Sequence, residues 1–172
     1  MKTLETERFI LRGWKESDAD EYFELYQNPD VESAGAKICE NINESLESIR
    51  LLIKCQESWA IVLKENGIVV GSIFLSDINR HVRYKELEYV ISEGHQNKGY
   101  ATEAVKRMLE YAFTELDLLV VAACHYPSNL KSKRVIEKCG FTYEGTLRKY
   151  SRNLTDSVRY SMTKEEWDNL KY

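Results

Sequence analysis

Six residues constrain this chain more tightly than any others: Gln96-Asn97-Lys98-Gly99-Tyr100-Ala101. An apolar strand pattern, Leu87 to Ile91, precedes them. An amphipathic helix follows, with Ala101, Ala104, Val105, Met108, Leu109 and Ala112 at helical spacing. A loop with one glycine therefore opens straight into a helix. The first N–H groups of that helix have no intrahelical partner, and the helix dipole adds partial positive charge in front of them. Phosphate oxygens suit such a place. Gly99 has no Cβ to hold a ligand off the backbone, Asn97 tolerates a left-handed conformation, and Lys98 adds a cation. An ordinary strand-to-helix connection would carry much of the same chemistry, so the local signal leaves both readings open.

Two other phosphate motifs fit worse. The chain has no Gly-Lys-Ser/Thr of a P-loop and no Gly-x-Gly-x-x-Gly of a dinucleotide fold. Gln96 to Ala101 instead resembles Gln/Arg-x-x-Gly-x-Gly/Ala, the acetyl-CoA pyrophosphate motif of the GNAT N-acetyltransferases. The run Gly99-Tyr100-Ala101-Thr102-Glu103-Ala104 resembles the subgroup of ribosomal-protein alanine acetyltransferases, RimJ/RimL-like. Further matches follow in order. Thr6-Glu7-Arg8-Phe9-Ile10-Leu11-Arg12 resembles the subgroup's opening strand, Asn129-Leu130-Lys131-Ser132 its Asn-x-x-Ser, and Glu137-Lys138-Cys139-Gly140-Phe141 the end of its last helix. Their joint order is more specific than any one of them.

The resemblance implies an α/β fold in one domain over residues 1–172. It implies a mixed, mostly antiparallel sheet of about seven strands flanked by about four helices. A central strand pair would splay apart and acetyl-CoA would lie in the V. Val90 and Ile91 would hold the pantetheine arm along the exposed strand edge. Gln96, Asn97, Lys98, Gly99, Tyr100, Ala101 and Thr102 would hold the pyrophosphate. Asn129 would touch the CoA arm, and Ser132 would sit near the sulfur as proton donor to the leaving thiolate.

Composition bounds the partners. A length of 172 residues suits one domain with a real core. A net charge of -4 argues against a general nucleic-acid binder and suits a partner with a cationic amine. No apolar run approaches the ~20 residues of a membrane span, and the N-terminus reads as no signal peptide. Four scattered cysteines, Cys39, Cys55, Cys124 and Cys139, without Cys-x-x-Cys, read as reduced and mostly buried thiols of a cytoplasmic protein, with no metal site. Most of the eleven tyrosines should be core or cleft walls.

In chain order, Phe9 to Leu11 is a strand. Ser17 or Asp18 caps a helix to about Gln27, ended at Asn28-Pro29-Asp30. The segment from Val31 to Asn43 reads as an irregular loop over the substrate side. Asn43 or Ser45 caps a second helix with Leu46, Ile49, Leu52 and Ile53 as its stripe. Trp59 to Leu63 and Val69 to Leu75 form a hairpin at Glu65-Asn66-Gly67. Asp77 to Lys85 is a polar connection, and Glu86 to Ile91 the next strand. Leu118 to Ala123 is a buried strand, Asn129 to Cys139 a helix with Gly140 just past its end. Phe141 to Leu147 and Ser157 to Met162 close the sheet as an antiparallel pair.

Among chemistry-bearing residues, Asn129 and Ser132 stand three apart in a first helical turn. A plain N-cap and a solvated hydroxyl are the bland readings. Glu86 and Glu88 alternate with Leu87 and Tyr89, so both carboxylates share a strand face. A salt-bridged or solvated pair is the bland reading; the functional one has Glu86, or Glu88, taking a proton from an amine through water. Glu88 stands where the subgroup usually has Gly. His81, His95 and His125 read as structural, and Tyr126 and Tyr150 as weaker cleft residues. The reaction the resemblance implies is direct attack of a primary amine on acetyl-CoA, with a peptide N-terminus as acceptor. A small amine (amino sugar, polyamine or antibiotic), a non-catalytic acyl-CoA-binding module and a homodimer all stay open.

Overall fold

The computed structural model describes residues 1–27, 31, 38–77 and 83–170. Among them, eight strands form one sheet: β1 (Leu4–Glu5), β2 (Phe9–Gly13), β3 (Ser58–Leu63), β4 (Val69–Asp77), β5 (Tyr84–Ile91), β6 (Val120–His125), β7 (Thr142–Leu147) and β8 (Ser157–Thr163). Their spatial order is β1-β2-β3-β4-β5-β6-β8-β7. Every pairing is antiparallel except β5 with β6. The described helices are α1 (Ala19–Leu25), α2 (Ile42–Cys55), α3 (Tyr100–Thr114), α4 (Leu130–Lys138) and α5 (Lys164–Asn169). The mixed, mostly antiparallel sheet agrees with the expected fold. The extra strand is two-residue β1, too short to leave a period in the sequence.

Strand alternation sends side chains to opposite faces, and each face has its own core. One packs Phe9, Leu11, Ile61, Ile73, Leu87 and Ile91 against Val105, Met108 and Leu109 of α3 and Ile136 of α4. The other packs Ala60, Val62 and Val69 against Trp14, Tyr22 and Leu25 near α1 and Ile49 of α2. The sheet is thus a partition with α3 and α4 on one side and α1 and α2 on the other. Gly71 of β4 has no room for a side chain against β5: a Cβ there would stand 2.4 Å from the Val90 carbonyl oxygen.

Several boundaries differ from the sequence reading. α2 begins at Ile42, and its cap is Asn41, whose side chain accepts from the N–H groups of Asn43 and Glu44. Asn43 and Ser45 are thus already inside the helix. Of the expected stripe Ile49 is fully buried, but Ile53 is 41% exposed, because the α2 contact with the sheet is narrow. Asp18 does not cap α1 with its side chain; its carboxylate takes two bonds from Arg12 and one from the Lys15 N–H. β4 and β5 reach further into the polar connection than read, pairing Asp77 with Lys85. Residues 28–30, 32–37 and 78–82, including part of the substrate-side loop, the Asn28-Pro29-Asp30 stop and His81, lie outside the described residues. Cys39 and Cys139 are buried as read, whereas Cys55 is exposed at the end of α2 and Cys124 is half-buried. No described helix is long and apolar enough to cross a membrane.

Candidate active site

β5 and β6 pair in parallel over only three positions: Tyr84 with Val120, Lys85 with Val121 and Glu86 with Ala122. Beyond Glu86 the strands separate, and the β6-facing edge of β5 has no strand partner among the described residues. A cavity of about 660 Å³ occupies the opening. Its wall includes Glu86, Val90, Ile91, Gln96, Asn97, Gly99, Tyr100, Ala101, Thr102, Asn129 and Ser132. Residues spread over almost fifty positions of sequence thus converge on one space. Lys98 alone of the expected set is outside that wall. Its Nζ lies 6.0 Å from the Tyr100 ring centre, and its carbonyl accepts from Arg8.

The loop has the geometry that anion binding needs. Asn97 and Gly99 both have positive φ, 62° and 78°. Gly99 is the N-cap position of α3 and brings no side-chain cap, so the first α3 N–H groups are left for whatever enters the cavity. Gln96 ties the loop to its surroundings: its Nε2 donates to the Ile91 carbonyl at 3.2 Å, and its Oε1 accepts from Lys131 Nζ at 2.9 Å. Asn129 caps α4, its Oδ1 accepting from the Ser132 N–H at 3.0 Å. The bland reading of Asn129 is therefore correct, and it still lines the cavity.

The two sheet faces divide the chemistry. Tyr89 lies on the α3/α4 side, with its hydroxyl 2.9 Å from Ser132 Oγ. Burial pushes the Tyr89 phenol well above its usual range, so it stays a proton-bearing donor. Glu86 and Glu88 lie on the opposite side, with Phe74 paired beside Glu88. Burial raises the Glu86 carboxyl above its ordinary value of 4.5, a hydrogen bond from the Cys124 thiol opposes the rise, and the charge of Glu88 adds to it. Tyr26, Tyr126 and Tyr150 complete this side of the wall. A proton donor on one face and a proton acceptor on the other thus meet across the gap in the sheet.

Comparison with known proteins agrees with this geometry. Residues 8–142 match the family described as Acetyltransferase (GNAT) domain. The chain belongs to the GNAT acetyltransferases. It is similar to the uncharacterised N-acetyltransferase p20 of Bacillus licheniformis, at 28% identity over 97% of this chain and 99% of that one. It is 37% identical to the putative ribosomal N-acetyltransferase YdaF of Bacillus subtilis over 62% of this chain and 60% of that protein. The crystal structure of a GNAT-family acetyltransferase from Bacillus anthracis superposes with a TM-score of 0.86 at 25% identity, covering 95% and 99% of the two chains. The protein is accordingly an acetyl-CoA-dependent N-acetyltransferase, with a putative ribosomal N-acetyltransferase among its relatives.

Several residues of this GNAT site were not singled out from sequence. Tyr89 was legible only as a member of the strand, because its bond to Ser132 joins positions 43 apart. Arg8 holds the loop: its Nη1 donates to the Lys98 carbonyl, its Nε and N–H bind Glu103, and its guanidinium lies 4.7 Å from the Tyr100 ring centre. The Arg8 and Glu103 motifs were visible as two family matches, but nothing in either indicated that they touch. His95 Nδ1 lies 2.9 Å from Ser92 Oγ, and His125 Nδ1 lies 2.6 Å from the Tyr126 carbonyl; both rings also line the cavity.

Proposed function

We propose that this enzyme transfers the acetyl group to a primary amine that enters from the Glu86 face, and that the acceptor is an α-amine of a peptide or protein. The observation that carries the reading is the cavity that crosses the sheet where β5 and β6 part, with the uncapped α3 N-terminus and Ser132 on one side and Glu86 and Glu88 on the other. Acetyl-CoA fits the first side: the loop backbone suits its pyrophosphate, and the β6-facing edge of β5 at Ile91 suits the amide groups of its arm. It supplies the activated acyl group.

The chain's own residues do the rest. Both substrates are held in one gap, and positioning alone accounts for a large share of such accelerations. Backbone N–H groups of the β5 edge polarise the carbonyl. Glu86, made more basic by burial, takes the amine proton through water. Ser132, backed by the Tyr89 hydroxyl, supplies a proton to the departing thiolate. An α-amine has a pKa of about 8 against about 10.4 for lysine, so its neutral form costs only about 1.4 kcal/mol at pH 7, against about 4.6 kcal/mol for lysine. A weak base suffices for the former.

A polyamine acceptor is the second reading, favoured by two carboxylates on one strand face. A thiol-release assay with acetyl-CoA, with products identified by mass spectrometry, separates the readings. Peptides with free N-termini should be turned over. Turnover of lysine side chains, amino sugars or polyamines with none on peptides would overturn the α-amine assignment.

A further inference from the structure

We infer that the acceptor carries a carboxylate close to its amine, and that Arg152 is the residue that recognises it. The inference rests on the acetyl-transfer reading and names the acceptor class within it. Arg152 lines the same cavity as Glu86 and Glu88. Most other arginines are committed: Arg8 to Glu103, Arg12 to Asp18, Arg50 to Glu16, Arg83 to Asp117, Arg107 to Glu110 and Arg159 to Glu144. Arg152 has no carboxylate partner among the described residues.

Its placement is fixed by the chain around it. The β7–β8 connection closes on itself: the Leu154 N–H donates to the Ser151 carbonyl at 2.9 Å, the Thr155 N–H to Ser151 Oγ at 2.8 Å, and the Lys149 N–H to Asp156 at 3.0 Å. Lys149 and Leu154 both take positive φ. A turn held this way presents Tyr150, Ser151 and Arg152 together to the cavity. Tyr150 feels the charge of Glu86 most strongly. Tyr126 is raised chiefly by burial and then by Glu88, while Arg152 pulls it the other way. Tyr126 therefore stands within reach of both charges, which do not neutralise each other: no ion pair joins Glu88 and Arg152.

An acidic pair and an uncommitted guanidinium around one tyrosine-lined space match a molecule with both charges. The ammonium group goes to the carboxylates and the carboxylate to the planar fork of the arginine, which suits carboxylate geometry. A polyamine meets repulsion from Arg152. Two sources have the required chemistry: a free amino acid, and a peptide with an acidic residue beside its N-terminus.

The test is thiol release from acetyl-CoA with matched acceptors, in wild type, Arg152→Gln and Arg152→Glu. The pairs are alanine against ethylamine, γ-aminobutyrate against putrescine, and Ala-Asp-Gly amide against Ala-Asn-Gly amide. The first two pairs report free amino acids and the third reports peptides. In wild type at least one pair favours the carboxylate by about tenfold or more in kcat/KM, the scale of one charge-assisted hydrogen bond. That ratio falls towards one in Arg152→Gln and inverts in Arg152→Glu. Acetyl-CoA affinity by calorimetry reports that each variant is folded. A preference for putrescine or the neutral partners throughout, or a ratio unchanged in Arg152→Gln, overturns the inference while acetyl transfer stands. Acetyl-CoA binding without thiol release from any acceptor overturns the acetyl-transfer reading and this inference with it.

Discussion

At the scale of single residues, the proposed mechanism handles protons on two opposite faces of the sheet. The Ser132 hydroxyl is 2.9 Å from the Tyr89 hydroxyl, and the two form a donor chain at the α4 N-terminus. A thiol has an ordinary pKa of about 8.5, so the thiolate is already a fair leaving group and needs modest help. Ser132→Ala should therefore lower kcat towards the lower end of the ~10²–10⁴-fold span of positioned acid–base groups, and Tyr89→Phe by less. CoA affinity measured by calorimetry should hold in both. Glu86 makes a different prediction. Its pKa lies above 4.5 because of burial first, so it becomes protonated, and inactive as a base, at a higher pH than an ordinary carboxylate. The acid limb of kcat, which is free of the titration of the unbound amine, should lie above the ordinary carboxylate value and be lost in Glu86→Gln. A limb that persists in that variant would transfer the role to Glu88 or to water. The sequence showed Ser132, Asn129 and Glu86 as members of motifs. It could not show Tyr89 or Arg152, because their partners come from other strands and turns.

At the scale of elements, the loop before α3 is set by residues far from it in sequence. Arg8, in the approach to β2, bonds both the Lys98 carbonyl and Glu103. Arg8→Ala should loosen the loop and weaken CoA binding by about tenfold, the scale of one charge-assisted bond. Gly99→Glu should do more, since it puts a side chain and a negative charge at a position of φ 78° in front of the helix. Burial raises the Glu103 carboxyl, but hydrogen bonds from Thr6 and Arg8 and the charge of Arg8 together hold it below its ordinary 4.5. The stabilisation this gives is complete above that ordinary value and is lost as pH falls through the lowered one. Acid unfolding should begin at higher pH in Arg8→Ala. Gly71→Ala forces a Cβ to 2.4 Å from a backbone oxygen, so β4 or β5 must move. Urea titration should show a loss of about 1–3 kcal/mol, the usual cost of overpacking. Helices α3 and α4 and the β3–β4 hairpin were legible because period and turn chemistry agree there. The α2 start was not, because Asn41 and Asn43 are both acceptable caps and only the packed geometry selects Asn41.

At the scale of the molecule, the sheet is a partition with one opening. β5 and β6 hold together over three residue pairs and then part, and the opening joins a basic, helix-capped side to an acidic, tyrosine-lined side. No local pattern encodes that divergence: the β5 and β6 sequences both read as ordinary strands. It came into view from sequence only through the family resemblance. The proposed mechanism places acyl donor and amine in the same gap at once, and it therefore predicts that the amine attacks without an acyl-enzyme stage. Enzyme mixed with acetyl-labelled acetyl-CoA and quenched in acid measures this directly. Without an amine the protein should carry no label, and with one each released CoA thiol should be matched by one N-acetylated product. Label left covalently on the protein in the absence of amine, with Cys124 as the thiol in the cavity wall, would contradict the account.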